Sequence, residues 1–317
     1  MKRKFGLFVV FTAFFTPPHA HAYAGNLTLD DALRATYTAC VGIDDELSDL
    51  KKMAGINTAV TAVGTAAGAG AIATGFAKEK TDKKIDEILT KLKAAEKARL
   101  ENGDKELSNE EKERIIAAVS VNNTAGVGDN NSVAQLQEKS KNLGNWRTGL
   151  LATNAATNIA GAAIAGTNKV DKELDAQIRD CVSAVNNLRA SMMQAQLDGV
   201  DITEARTIAD ACDDYATVDT TKINKRATGA MISSAVGAAT GVAGTVTSAM
   251  ANSDKVRVVR AEDGGRTDKE KNLNTAANAL SIGATVASVS ATVFNAAQIA
   301  AIKKVASVSE KCTGVLK

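Results

Sequence analysis

Four cysteines, Cys40, Cys181, Cys212 and Cys312, are the side chains of this sequence best suited to covalent chemistry. Their number is even and no two lie close together. That spacing suits disulfides and disfavours a metal site, whose ligands come in short-range pairs. Both histidines, His19 and His21, fall in an N-terminal stretch that reads as a leader. Beyond it no imidazole can serve as general base, partner a Ser or Cys nucleophile, or bind zinc. Carboxylates adjoin at Asp30-Asp31, Asp44-Asp45-Glu46, Glu110-Glu111 and Asp213-Asp214. Neighbours on a helix point about 100° apart, so such pairs do not share a substrate atom. They read as helix starts and solvated faces. Gly126-Val127-Gly128 and Gly264-Gly265 follow no strand and form no phosphate cradle. The expectation is a non-enzyme with no catalytic, cofactor or metal residues.

The elements that must position the cysteines follow from composition. Met1–Ala24 reads as a removable secretory signal. Lys2, Arg3 and Lys4 precede an apolar core, Phe5–Phe15; Pro17 and Pro18 break it; Ala20-His21-Ala22 offers a cleavage site. Export places the chain in the periplasm, at the cell surface or outside, where cysteines oxidise. Formal charge is +2, and losing the three leader cations takes it to −1. No cationic excess remains to neutralise a phosphate backbone, so nucleic acid is not an expected partner. Both prolines leave with the leader. A chain without proline, poor in aromatics and rich in Ala, Leu, Lys and Glu, is expected to be all-α with long helices.

Four runs carry no charge: Met53–Ala77, Thr148–Asn168, Ala227–Ser253 and Asn272–Ile302. Each is flanked on one side by a cysteine-bearing arm and on the other by a polar tip, 78–141 in residues 25–199 and 254–271 in residues 200–317. The two halves read as copies. Lys-Asn-Leu recurs at 141–143 and 271–273, followed by a cysteine 38 positions after Leu143 and 39 after Leu273. The predicted architecture is a four-helix bundle of two tandem αα-hairpins, each arm a continuous helix. A tip centred near 261–262 makes facing residues of the second hairpin sum to about 522–524. That register favours Cys212–Cys312, and the copy favours Cys40–Cys181. Pairing Cys181 with Cys212 would leave an offset of roughly 9 Å, beyond the reach of a disulfide.

Capping signals mark the helix starts: Thr28, Ser108-x-x-Glu111, Ser132-x-x-Gln135, Asp201-x-x-Glu204 and Thr267-x-x-Glu270, with Gly199 as a C-cap. The seams are assigned to the larger apolar residues with small ones between. These are Ile56, Val60, Val63, Ala67 and Gly70 in the first run, and Ile232, Val236, Ala239, Ala243, Val246 and Met250 in the third. The last helix has two apolar stripes, one through Leu280, Ala284 and Ala291, the other through Ile282, Val286, Val289 and Val293. Gly64, Gly68, Gly161, Gly237 and Gly241 are expected in the seams, where small residues let backbones approach. Trp146, alone at the start of an uncharged run, is assigned first to ordinary packing, with an interfacial anchor as the alternative.

Two functions fit these features. The first is an exported helical bundle with a structural or partner-binding role, its partner another protein or a further copy of itself. The alternative is a membrane-active protein that inserts its Ala/Gly-rich hairpins, as a pore former or an oligomeric envelope component. Each uncharged run is long enough to span, but Met53–Ala77 is poor in the Leu, Ile, Phe and Val that favour insertion. The soluble bundle is therefore the first reading.

Overall fold

The computed structural model describes residues 28–103, 106–122, 133–253, 256 and 265–316, with side chains of the third helix described as far as Arg114 and Ile115. The leader, Ser132, the 123–131 loop, the 257–260 segment and Gly264 lie outside the described residues. The described chain is helical throughout, with no strand. Its α-helices are α1 (Leu29–Cys40), α2 (Ile43–Glu101), α3 (Asn109–Asn122), α4 (Val133–Thr167), α5 (Lys172–Leu197), α6 (Thr203–Cys212), α7 (Thr220–Ala251) and α8 (Asp268–Leu316). A 3-10 turn, Asp213–Thr217, joins α6 to α7.

The caps account for most helix starts. Thr28 accepts from the Asp31 amide, and Thr267 from the Glu270 amide. Ser108 and Glu111 form the reciprocal box: the Ser108 amide donates to Glu111 Oε2 and the Glu111 amide to Ser108 Oγ. Gly199 closes α5 at φ 77°, with the Val200 amide returning to the Ala195 carbonyl. The box expected at Asp201 and Glu204 is not formed. Asp201 Oδ1 instead accepts from the amide and hydroxyl of Thr203, and Ile202 caps α6 without a side-chain bond.

The arms are not continuous helices, contrary to the periodicity. Three of the four break near the cysteines. Gly42 takes φ 97° between α1 and α2. Asn168–Asp171 separate α4 from α5, where Asn224 holds Val170 by its amide and carbonyl, and Asp171 restarts the helix on the Leu174 amide. The 3-10 turn and Val218 separate α6 from α7, which Asp219 restarts on the Thr221 amide. Each break carries a cap or a positive-φ glycine that apolar spacing alone steps over. α8 runs through unbroken.

The long helices α2, α4, α7 and α8 lie side by side. α2 packs on α4 and α8, and α7 packs on the same two. Close approaches pair Gly64 with Thr157, Gly241 with Ala155, Gly229 with Phe294, and Gly244 with Leu280. Numbers fall along one helix as they rise along the next, so each contacting pair is antiparallel. The α7–α8 pairs sum to 523 or 524.

At one end, the base, α1, α5, α6 and the adjoining parts of α2 and α8 enclose an apolar core that includes Ile43, Leu47, Leu174, Ile178, Leu188, Ile208, Tyr215 and Ile302. Cys40 is bonded to Cys181 and Cys212 to Cys312 inside it. At the other end, the tip, Ile85, Ile88 and Leu136 form a second small core. The middle section, between base and tip, is built on another principle.

Candidate functional site, a polar axis inside an apolar sheath

In the middle section the uncharged runs are helical almost from end to end, so their backbone groups are satisfied within each helix. Every exposed residue of α2 from Met53 to Ala77, of α7 from Ala227 to Met250 and of α8 from Ala276 to Ile302 is apolar. Large residues are prominent among them: Val63, Phe76, Ile232, Val236, Val246, Val286 and Val293 are each more than half exposed. α4 exposes Gly149, Ala152, Ala156, Ile159, Ala160 and Ala163, with Thr153 and Thr167. The hydroxyls of those two threonines turn back to the carbonyls of Gly149 and Ala163. Thr58, Thr65, Thr74, Thr240, Thr245 and Thr247 do the same along their own helices.

The interior is the reverse. Asn57, Thr61, Asn154, Asn158, Ser234, Ser281, Ser288, Asn295 and Gln298 are fully buried. Most of them bond across helices, whereas Ser281 Oγ donates to the Ala277 carbonyl of its own helix and Ser234 Oγ, Asn57 Oδ1, Asn158 Oδ1 and Gln298 Oε1 have no hydrogen-bond partner among the described residues. Asn57 Nδ2 donates to Asn295 Oδ1 at 2.9 Å, and Asn295 Nδ2 to Thr61 Oγ1 at 3.3 Å. Asn154 Nδ2 donates to the Gly64 carbonyl at 2.6 Å and to Ser288 Oγ at 2.9 Å; Asn158 Nδ2 reaches the same hydroxyl at 2.8 Å. Gln298 Nε2 donates to the Asn168 carbonyl at 2.7 Å. Asn57 Oδ1 and Ser234 Oγ turn toward the space left by the missing side chain at Gly161, 3.3 and 3.2 Å from where its Cβ would stand.

The expected seams of α2 and α7 are therefore corrected at their large residues. In α7 the buried line runs Ala227, Ala230, Ser234, Gly237, Gly241, Gly244, Ser248, while Ile232, Val236, Val246 and Met250 face out. In α2 it runs Ala54, Asn57, Thr61, Gly64, Ala67, Gly68, Ala71, Gly75, and Ile56 and Val63 face out. In α8 the stripe through Ala284 and Ala291 is buried, and that through Ile282, Val286, Val289 and Val293 is exposed. Small residues won the interior because the helices approach too closely for larger ones. A Cβ on Gly64 would stand 2.5 Å from Thr157 Oγ1, one on Gly161 2.9 Å from Thr61 Cγ2, one on Gly237 2.8 Å from Asn158, and one on Gly241 3.0 Å from Ala155 Cβ; Gly68 faces Thr285 Oγ1. All five seam glycines thus sit at helix contacts, while the buried Asn, Ser and Thr had gone unassigned. Their own 3-4 spacing, Asn57-Thr61-Gly64-Gly68, was the available signal.

A substitution pair tests the close approach. Gly241→Leu meets backbone atoms of Ala155 at 3.1 and 3.2 Å, which cannot yield as a side-chain end can. A loss of about 3 kcal/mol in unfolding free energy is expected. Gly149→Leu, with nothing within 4 Å of its Cβ position, is expected to be neutral or mildly stabilising. Parallel denaturant titrations compare the two.

Both edges of the sheath carry charge. At the tip edge, buried Lys78 donates to buried Asp82 at 2.7 Å, and Ser140 Oγ to the other Asp82 oxygen at 2.5 Å. Arg266 bonds Asp86 and Glu79 at 2.7 Å each, tying the segment before α8 to α2. Burial opposes its charge, but the hydrogen bonds to Glu79 and Asp86 outweigh that and raise its pKa. Buried Arg147 donates to Asn278 Oδ1 at 3.0 Å. Burial lowers its pKa to about 10, with the Asp82 and Glu79 carboxylates pulling the other way. Asp82→Ala would leave the Lys78 ammonium buried without this carboxylate, a class of change that costs about 3–5 kcal/mol. Asp82→Ala with Lys78→Met is expected to recover most of that loss in the same titration. Trp146 stands at this edge 68% exposed, so it is not ordinary packing.

At the base, the sulfurs of Cys40, Cys181 and Cys312 lie within 4.8 Å of one another, so the two disulfides stack in one core. Burial pushes the Tyr215 hydroxyl up to about 12. A raised folded-state value means stability fully present below pH 10 and lost as pH climbs through 12. Tyr215→Phe is expected to remove that alkaline loss, read as the pH dependence of the unfolding midpoint. Glu46 is also raised, first by burial and then by the Asp171 and Glu173 carboxylates.

Comparison with protein-family models, with curated proteins and with solved structures finds no match for this chain.

Proposed function

We propose that this chain is an exported membrane protein, and that its four long helices form a bundle of two tandem stapled hairpins whose middle section lies in lipid. One observation carries the reading: the section is apolar outside and polar inside. In water, burying Asn and Ser while exposing Val and Ile reverses the usual preference. In a bilayer it is favourable, because lipid meets aliphatic side chains, Phe76, Phe294 and the back-bonded threonines of α4, while most of the polar side chains find partners between helices. Four further features agree. The described helix breaks fall at the base or, as between α2 and α3, in the tip, and none falls in the middle section, where lipid would not tolerate open backbone. Runs of 21 to 31 residues rise about 31–46 Å, enough for a hydrocarbon core of about 30 Å. Trp146 sits where an interfacial aromatic would anchor. Leu29–Glu101, Thr220–Ala251 and Asp268–Leu316 each contain a stretch long and apolar enough to cross a membrane.

The outer face of Met53–Ala77 is short of Leu and Ile and carries Met53, Ile56, Val63 and Phe76 among alanines, which favours the soluble reading. Its least insertable residues, Asn57, Thr61, Gly64, Gly68 and Gly75, lie on the buried face against neighbouring helices and do not meet lipid. The same close packing disfavours a pore through one chain. A methyl group would stand under 3 Å from the Thr157 and Asn158 side chains at Gly64 and Gly237, and 3.0 Å from Ala155 Cβ at Gly241. The role that fits is a non-enzymatic membrane anchor or scaffold, with base and tip as its aqueous ends.

Alkaline carbonate extraction of membranes bearing the full chain, followed by liposome flotation of the purified protein, tests this. Retention in the pellet and flotation are expected. A chain released by carbonate and monodisperse without detergent would return the soluble partner-binding bundle to first place.

A further inference from the structure

We infer that the two ends of the molecule face opposite compartments: the disulfide-bonded base stands on the oxidising side of the membrane, and both tips cross to the other. The inference rests on the membrane reading and adds sidedness to it. All four cysteines lie at the base, paired within the chain and 0–1% exposed. Such bridges form and persist where the medium oxidises. The apolar sheath then separates this end from Lys78 onward in α2 and from Arg266 before α8.

Because α2, α4, α7 and α8 are antiparallel neighbours, the chain crosses four times and returns to the base after each hairpin. The alternative, with tips and base on one side, would fold an apolar section more than 30 Å long back into water. The tips contain no cysteine. They also hold 20 of the Lys and Arg residues, in 78–147 and 254–271, against 15 in the longer base segments 25–52, 169–226 and 303–317. Lys and Arg concentrate on the side that is not translocated. Two independent signals, sulfur chemistry and cation distribution, thus point the same way. The tip's ion pairs, Lys78–Asp82 and Arg266 with Glu79 and Asp86, are then the part of the structure presented to the reducing compartment.

Two single-cysteine probes test the sidedness in the full chain, Arg206→Cys at the base and Glu110→Cys at the tip, both at exposed positions. Sealed spheroplasts are treated with a membrane-impermeant maleimide, then lysed and treated again. The base probe is expected to label in sealed spheroplasts and the tip probe only after lysis. Trypsin added to sealed spheroplasts with the unaltered chain gives an independent readout: 78–147 is expected to survive until lysis. Tip labelling or cleavage from outside, in a chain that still resists carbonate, would overturn the sidedness and leave the membrane reading standing. Outside access to both ends of a chain that carbonate releases would sink both.

Discussion

A chain carrying Val242→Lys and Val286→Lys is expected to lose its membrane association. Val242 is 48% exposed on α7 and Val286 60% exposed on α8, each near the middle of its uncharged run. Lysine at the centre of a spanning helix costs about 2.5–3.5 kcal/mol on insertion scales, and the valine it replaces contributes a few tenths in favour. Two such changes amount to about 6 kcal/mol against insertion. In water the same substitutions sit on an open face, where effects stay within about 0.5 kcal/mol. The two readings therefore predict opposite outcomes. Release from membranes together with aggregation supports the lipid-embedded bundle. Unchanged folding and a gain in solubility would overturn it. Val315→Lys, exposed near the end of α8 and outside the sheath, is the control and is expected to leave association intact.

The second large effect concerns the base. Replacing Cys212 and Cys312 together by Ala removes a bridge spanning 100 positions. The loop-entropy model assigns such a bridge about 4.7 kcal/mol. The base is otherwise held by its apolar core and the Cys40–Cys181 bridge, with α1 resting on α5, and α6 on α5 and α8. Loss of the bridge is expected to melt the base first, while the middle section keeps its helicity in detergent. Circular dichroism would show two separated thermal transitions where the intact chain shows one. Both bridges are fully buried and stacked, so a thiol reductant is expected to act slowly until denaturant opens the core. Fast reduction of the native protein would contradict this placement of the sulfurs.

Much of the helical framework was legible from residue types. The lack of proline after Pro18, the caps at Thr28, Ser108 and Thr267 and the glycine at 199 are local signals, readable because they act through bonds within one turn. The cysteine positions were legible because covalent chemistry depends on residue identity first. The helix breaks at Gly42, Asn168 and Cys212 were not read, although Asp171 and Asp219 are ordinary caps. Apolar spacing continues across them because the base core gathers residues from both sides of each break.

Residue types and spacing suffice for an all-helical chain with four uncharged runs and stripes at 3-4 spacing. Which stripe faces in depends on how the helices pack. Ile232-Val236, four apart, and Ser234-Gly237, three apart, both have the spacing of one helix face, so periodicity cannot choose between them. The choice lies between helices: glycine permits an approach that valine forbids, and Asn154 becomes tolerable inside only when the Gly64 carbonyl and the Ser288 hydroxyl stand opposite it. A rule that places large apolar residues inward assumes water outside. Here the close approach of four small-residue faces turned those residues outward.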